Sequence, residues 1–145
     1  MKNRRWLLSL ALVVVLGLLI VLPAGAQCEP PIYPPPCAGC TPGYWKQPHH
    51  FDSWGATDFA PTDTLSYAFG CELPDKTLLE ALKARGGHEK AFMRQAVAAL
   101  LNAAHPDMTY GTIAGVQGIA CNNWGEEWVK DFFEGWNESL PCLLD

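Results

Sequence analysis

Residues 88–106 read HEKAFMRQAVAALLNAAHP. Phe92, Ala96, Ala99 and Ala103 recur at three- to four-residue steps, with Met93, Val97, Leu100 and Leu101 beside them. That is the spacing of one face of an α-helix. The alanines favour helix and let a neighbouring element approach closely. Pro106 brings no amide and biases His105 away from the helical region, so the helix must stop there. The stretch therefore predicts a helix from His88 to Ala104. Gln95 and Asn102 lie seven residues apart, on nearly the same face. If that face is buried, both amides need partners, because an unpaired amide inside costs about 1–3 kcal/mol. Backbone of the preceding lobe is the expected partner, and a ligand is the alternative.

Weaker helical patterns flank this element. Asp75 can cap a helix with Lys76 and Thr77 in its first turn, Leu78, Leu79 and Leu82 on its apolar face, and Gly86-Gly87 at its end. From Thr109 to Ala120, Ile113, Val116, Ile119 and Ala120 predict a short helix, which Gly111, Gly115 and Gly118 weaken by about 1 kcal/mol each. A last helix, Gly125 to Glu138, carries Trp128, Phe132 and Trp136 at i, i+4, i+8, widened by Val129 and Phe133. Asn122 or Asn123 can cap it, and Glu126 and Glu127 suit its positive start. Residues 41–74 differ. They hold turn signals at Thr41-Pro42-Gly43, Gln47-Pro48, Gly55, Ala60-Pro61, Gly70 and Leu73-Pro74, and seven aromatics from Tyr44 to Phe69. No clean period runs through them, and short helical turns are expected near 62–68. The fold class is mainly α: a small disulfide-stabilised helical domain with an irregular, aromatic-rich N-terminal lobe.

The N-terminus reads as a targeting segment. Lys2, Arg4 and Arg5 precede an apolar run from Trp6 to Leu22, and Ala24-Gly25-Ala26 supplies a small-x-small site. This is the pattern of a secretory signal peptide over residues 1–26, cleaved after Ala26. Retention as an N-terminal anchor is the rival reading, because the run approaches the length of a membrane span. Residues 27–39 form a Pro-rich arm, whose Glu29-to-Pro36 stretch lacks amide donors at five of eight positions and should be extended and stiff. Residues 40–145 form a Cys-rich helical domain. All six cysteines, Cys28, Cys37, Cys40, Cys71, Cys121 and Cys142, follow the signal segment, so disulfides in an oxidising compartment are expected. Six cysteines allow 15 pairings. The Cys37-Ala38-Gly39-Cys40 spacing also suits zinc or a redox pair. However, no second close pair accompanies it, and Thr41-Pro42-Gly43 follows where a redox motif would open a helix.

Without Lys2, Arg4 and Arg5, seven Lys and Arg remain against 15 Asp and Glu, a net charge of −8. Such a chain is a poor fit for nucleic acid or a polybasic membrane site, and no membrane role is expected after signal cleavage.

Three blocks carry a resemblance. Cys40-Thr41-Pro42-Gly43-Tyr44-Trp45-Lys46 resembles the opening box, Cys-Thr-x-Gly-Tyr-Trp-Lys, of a family of secreted and surface modules, mostly bacterial. Met93 to Ala104 is similar to its Leu-x-Gln-x-Val-x-Ala-x-Leu-Asn-Ala-Ala helix. Asn137-Glu138-Ser139-Leu140-Pro141-Cys142-Leu143 is similar to its Asn-Glu-x-x-Cys-Pro-Leu ending. Gln47-Pro48-His49 stands where the family often has Asn-His, and the proline precedes the last cysteine instead of following it. The resemblance implies an exported module and supplies no mechanism.

Candidate site residues follow from chemistry. The box is expected first as a core plug fixed to the helices through Cys40; the functional alternative makes Tyr44, Trp45, Lys46 and Trp54 a candidate ligand platform for a sugar ring or peptide. Gly43 would allow a tight turn with positive φ. Lys46 could lay its stem on an indole and pair its head with an acid. His49, His50, Asp52 and Asp58 are metal-capable types, but adjacent residues of an extended chain point apart, so exposed loop histidines are expected and no metal or cofactor is. His88 and His105 are expected at the helix ends. Asn137-Glu138-Ser139 is a glycosylation sequon if the host uses one. The acids Glu126, Glu127 and Asp131 near one helix start are ordinary for so acidic a chain. No esterase elbow, zincin helix, phosphate loop or dinucleotide fingerprint occurs.

The favoured expectation is a secreted, non-catalytic extracellular module for binding or surface structure, with an unknown ligand such as a glycan or cell-wall component. The alternatives are a carbohydrate-binding or carbohydrate-acting protein using Tyr44, Trp45, Trp54 and Asp52, and a self-assembling subunit whose Pro-rich arm reaches a neighbour.

Overall fold

The computed structural model describes residues 38–138 and 141–144. The expected signal segment, residues 27–37 of the expected arm, and the cysteines at 28 and 37 lie outside the described residues. The described chain is mainly helical, with no strand and one isolated antiparallel bridge between Thr64 and Thr77. Its helices are α1 Pro42–Trp45, α2 Phe51–Trp54, α3 Leu65–Phe69, α4 Leu78–Lys83, α5 Glu89–Ala104, α6 Ile113–Asn122 and α7 Glu127–Glu138, with one 3-10 turn at Pro48–His50 before α2.

The spine is α5, and it is buried on more than one face. Ten of its residues, Phe92, Met93 and Gln95 through Asn102, are enclosed. It ends at Ala104 with His105 extended at ψ 126°, as Pro106 demands. The alanines at 96, 98 and 99 have no exposed surface, and α7, α4, α6 and α1 all pack against this helix. Its start carries strain. His88 sits at φ 49°, ψ −128°, and Lys90 N bonds Gly87 O across it at 3.2 Å. That is the first central position of a II′-like turn, where glycine is the ordinary occupant.

Capping chemistry moves three predicted boundaries. α4 is capped by Thr77 rather than Asp75: its hydroxyl accepts from Glu80 N at 3.2 Å, and Glu80 Oε2 accepts from Thr77 N at 2.8 Å. This reciprocal pair closes two orphan amides. The Thr77 backbone donation, then its side chain, holds the Glu80 carboxyl below its ordinary range. The helix ends at Lys83, with Ala84 already extended, ahead of Gly86-Gly87. α6 begins after Thr112, whose hydroxyl caps Gly115 N at 3.1 Å. α7 begins at Glu127 because Gly125 has φ 83° and cannot belong to the helix.

The face of α7 is rotated from the expected stripe. Val129, Phe133 and Asn137 are the buried residues, Phe132 and Trp136 flank them, and Trp128 is 58% exposed.

Two disulfides cross-link the segments packed around the spine. Cys40–Cys142 joins the two ends of the domain across 102 residues, and Cys71–Cys121 ties the turn after α3 to α6 across 50. In the chain-entropy account, loops of these lengths contribute about 4–5 kcal/mol each. Cys40 therefore does not pair with Cys37. Beside Cys40, Gly39 is pressed against α7: a Cβ there would lie 2.5 Å from Trp136 O. Among the described residues no helix is long and apolar enough to cross a membrane.

Candidate functional site

The box at residues 40–46 is the plug of the core. Thr41 caps α1 by accepting from Tyr44 N at 3.2 Å, and Pro42 takes the first helical position, where a missing amide costs nothing. Gly43 therefore lies in a helical turn at negative φ, not in the positive-φ turn expected of it. The helical turn drives the Trp45 ring inward, where it is fully buried and meets Trp54 edge-on at 6.0 Å and Tyr44 at 5.3 Å. Trp54 Nε1 donates to Trp45 O at 3.1 Å. Tyr44 is 7% exposed, and its hydroxyl lies 2.7 Å from Ser53 Oγ and donates to Leu144 O at 3.2 Å. Three of the four residues assigned to a ligand platform are thus enclosed by protein. Trp54 borders a recess with Asp58 and Tyr67, but only 2% of it is accessible. Lys46 is half-buried and has no acid partner among the described residues.

Beneath the plug lies a buried polar network centred on Asn102. Its Oδ1 accepts from Cys40 N at 3.0 Å and from Trp45 Nε1 at 2.9 Å. Its Nδ2 donates to Cys40 O at 2.9 Å and to Asn137 Oδ1 at 3.0 Å. Asn137 Nδ2 donates to Gln95 O and Gln95 Oε1, and Tyr110 OH donates to Asn137 Oδ1 at 2.6 Å. Gln95 Nε2 reaches Glu138 Oε1 at 3.0 Å. Asn102 thus bonds the backbone of the preceding lobe, as expected, whereas Gln95 bonds α7. Burial pushes the Tyr110 phenol well above its ordinary pKa. Asn137 has no exposed surface, which closes the sequon to a glycosyltransferase in the folded chain. Every buried side-chain nitrogen and oxygen among the described residues has a partner.

The remaining titratable candidates are scattered. His49 is exposed, and His50 stacks on Tyr44 at 3.8 Å. His105 is buried, with its Nδ1 accepting from Asp107 N at 3.2 Å. Glu127, Asp131 and Glu134 surround Lys130 and hold its ammonium above the ordinary lysine range, Asp131 first and Glu134 next. Among the described residues no group of three or more His, Cys, Asp or Glu is placed to hold a metal.

The ring-walled concavity lies elsewhere. A cavity of about 560 Å³ opens between the segment 108–119 and α7, walled by Ile119, Phe132 and Trp136 over the buried Met108, Tyr110 and Val116, with Thr109 and Thr112 also in the lining. Trp136 meets Phe132 at 4.4 Å and Tyr110 edge-on at 5.7 Å. The volume lies in the range of small-ligand sites. No family model, curated protein or solved structure matches this chain.

Phe132 and Trp136 read from the sequence only as the apolar face of a helix. The signal that could have marked them is the glycine-rich pattern of the facing segment: Gly111, ahead of α6, and Gly115, in its first turn, line the cavity and put no side chain into it.

Proposed function

We propose that this chain is an exported, disulfide-locked binding module. It holds, without turnover, a ligand that has one apolar face and one hydroxylated edge, such as a ring of a neutral glycan. The observation that carries this reading is the cavity itself: a concavity walled by rings and aliphatic side chains on a fully bonded, cross-linked scaffold. Rings stack on the C–H face of a sugar, and the polar threonines of the lining, Thr109 above all, suit its edge. Export is supported by the N-terminal pattern and by the two disulfides, which persist in oxidising compartments. The scaffold supports binding rather than chemistry because its buried amides are spent on each other.

The test is a neutral-glycan array probed with the oxidised protein, alongside Trp136→Ala and Ile119→Trp. The first variant removes a wall; the second fills the cavity and keeps the wall. Glycans retained by the parent and lost by both variants are expected. No retention by the parent at high protein concentration sinks the reading, as does retention that Ile119→Trp leaves unchanged.

A further inference from the structure

Seven Lys and Arg follow residue 26, and four of them line one cleft. Lys46, from the end of the box, faces Lys83 and Arg85 at the end of α4 and Arg94 from α5 across a cleft of about 610 Å³. Gln47 and Pro48 complete one wall, and no Asp or Glu contributes to the lining. None of these residues lines the ring-walled cavity.

The cations are arranged and uncompensated. Arg94 is anchored: its Nη1 donates to Ala84 O at 2.7 Å and to Gly86 O at 3.0 Å, which fixes the guanidinium plane at the cleft wall. Lys46, Lys83 and Arg85 make no ion pair among the described residues, whereas Lys130, elsewhere on the same chain, is surrounded by three acids. In a chain with 15 acids, four gathered and unpaired cations are a costly arrangement. Like charges repel, and a cleft lined by one sign focuses its field on whatever enters.

The geometry points to a second binding site, for a small polyvalent anion of the phosphate class. Arginine forks match phosphate oxygens in pairs, and lysine adds point charge beside them. The cleft is too roomy for a single inorganic phosphate and suits an anion with two or three linked phosphoryl groups. The site stands independently of the cavity reading, because it shares no residue with it.

Titration calorimetry of the oxidised protein with tripolyphosphate, and separately with the tricarboxylate citrate, tests this. The variant is Lys83→Ser/Arg85→Ser, whose side chains are exposed and carry no hydrogen bond of the fold, and thermal melting checks that it is folded. Saturable tripolyphosphate binding is expected, weaker in high salt, and at least about tenfold weaker in the variant as two charge-assisted contacts are lost. Absence of binding at millimolar ligand overturns the proposal, and so does binding that the variant leaves unchanged. Citrate binding as tightly as tripolyphosphate overturns the phosphate assignment.

Discussion

Truncating Asn102 to alanine is the sharpest test of how this domain is held together. The side chain is fully buried and makes four hydrogen bonds of 2.9–3.0 Å. Without it, Cys40 N, Cys40 O and Trp45 Nε1 lose their partner inside the core, while Asn137 Oδ1 keeps its bond from Tyr110. Each orphaned group costs about 1–3 kcal/mol. The vacated carboxamide leaves room for about one water, which recovers part of that loss, so the net destabilisation should be about 4 kcal/mol, a large share of an ordinary domain's 5–15 kcal/mol. Asn102→Asp keeps the shape but cannot donate, and it sets a carboxylate against Cys40 O and Asn137 Oδ1, so it should cost at least as much. Urea unfolding followed by tryptophan emission measures both. The disulfide grips Cys40 by its sulfur and Asn102 grips it by its backbone, so the alanine variant and Cys40→Ser/Cys142→Ser should be non-additive by more than about 0.5 kcal/mol. A loss below about 1 kcal/mol for Asn102→Ala, with additive behaviour against the disulfide variant, would refute the claim that this amide joins the plug to the spine.

His88→Gly should raise stability by about 1 kcal/mol, read as a higher thermal midpoint, because glycine adopts φ 49° without strain; a lower midpoint contradicts the turn assignment. The buried Tyr110 predicts alkaline lability. An unfolded phenol ionises near pH 10 while the folded one stays protonated, so the unfolded chain binds fewer protons and stability falls above about pH 10 by up to about 1.4 kcal/mol per pH unit. Tyr110→Phe should flatten that slope in urea midpoints taken from about pH 8 to 12; identical slopes would remove Tyr110 as its source.

The long helix, its stop before Pro106 and the existence of the helices beside it were legible because they are local. Periodicity, proline chemistry and hydroxyl capping act within a few residues of chain. Helix starts shifted by about a turn where a cap lay elsewhere than expected, as when Thr77 displaced Asp75 by pairing with Glu80. The candidate site was legible in composition but not in place. Tyr44, Trp45 and Trp54 have the same ring chemistry as Phe132 and Trp136, and nothing along the chain says which set will be covered.

From its order of residues alone, this chain shows a basic-then-apolar N-terminal pattern, a helical second half and cysteines set for disulfide pairing. The tertiary structure decides which cysteines meet, that α7 turns Val129 and Phe133 inward and Trp128 out, and that four cations from the box, α4 and α5 border one cleft. The reason is physical. Local backbone preference sets which side chains share a face, but burial and charge balance depend on what arrives opposite that face, and here the opposing residues lie tens of positions away in the chain.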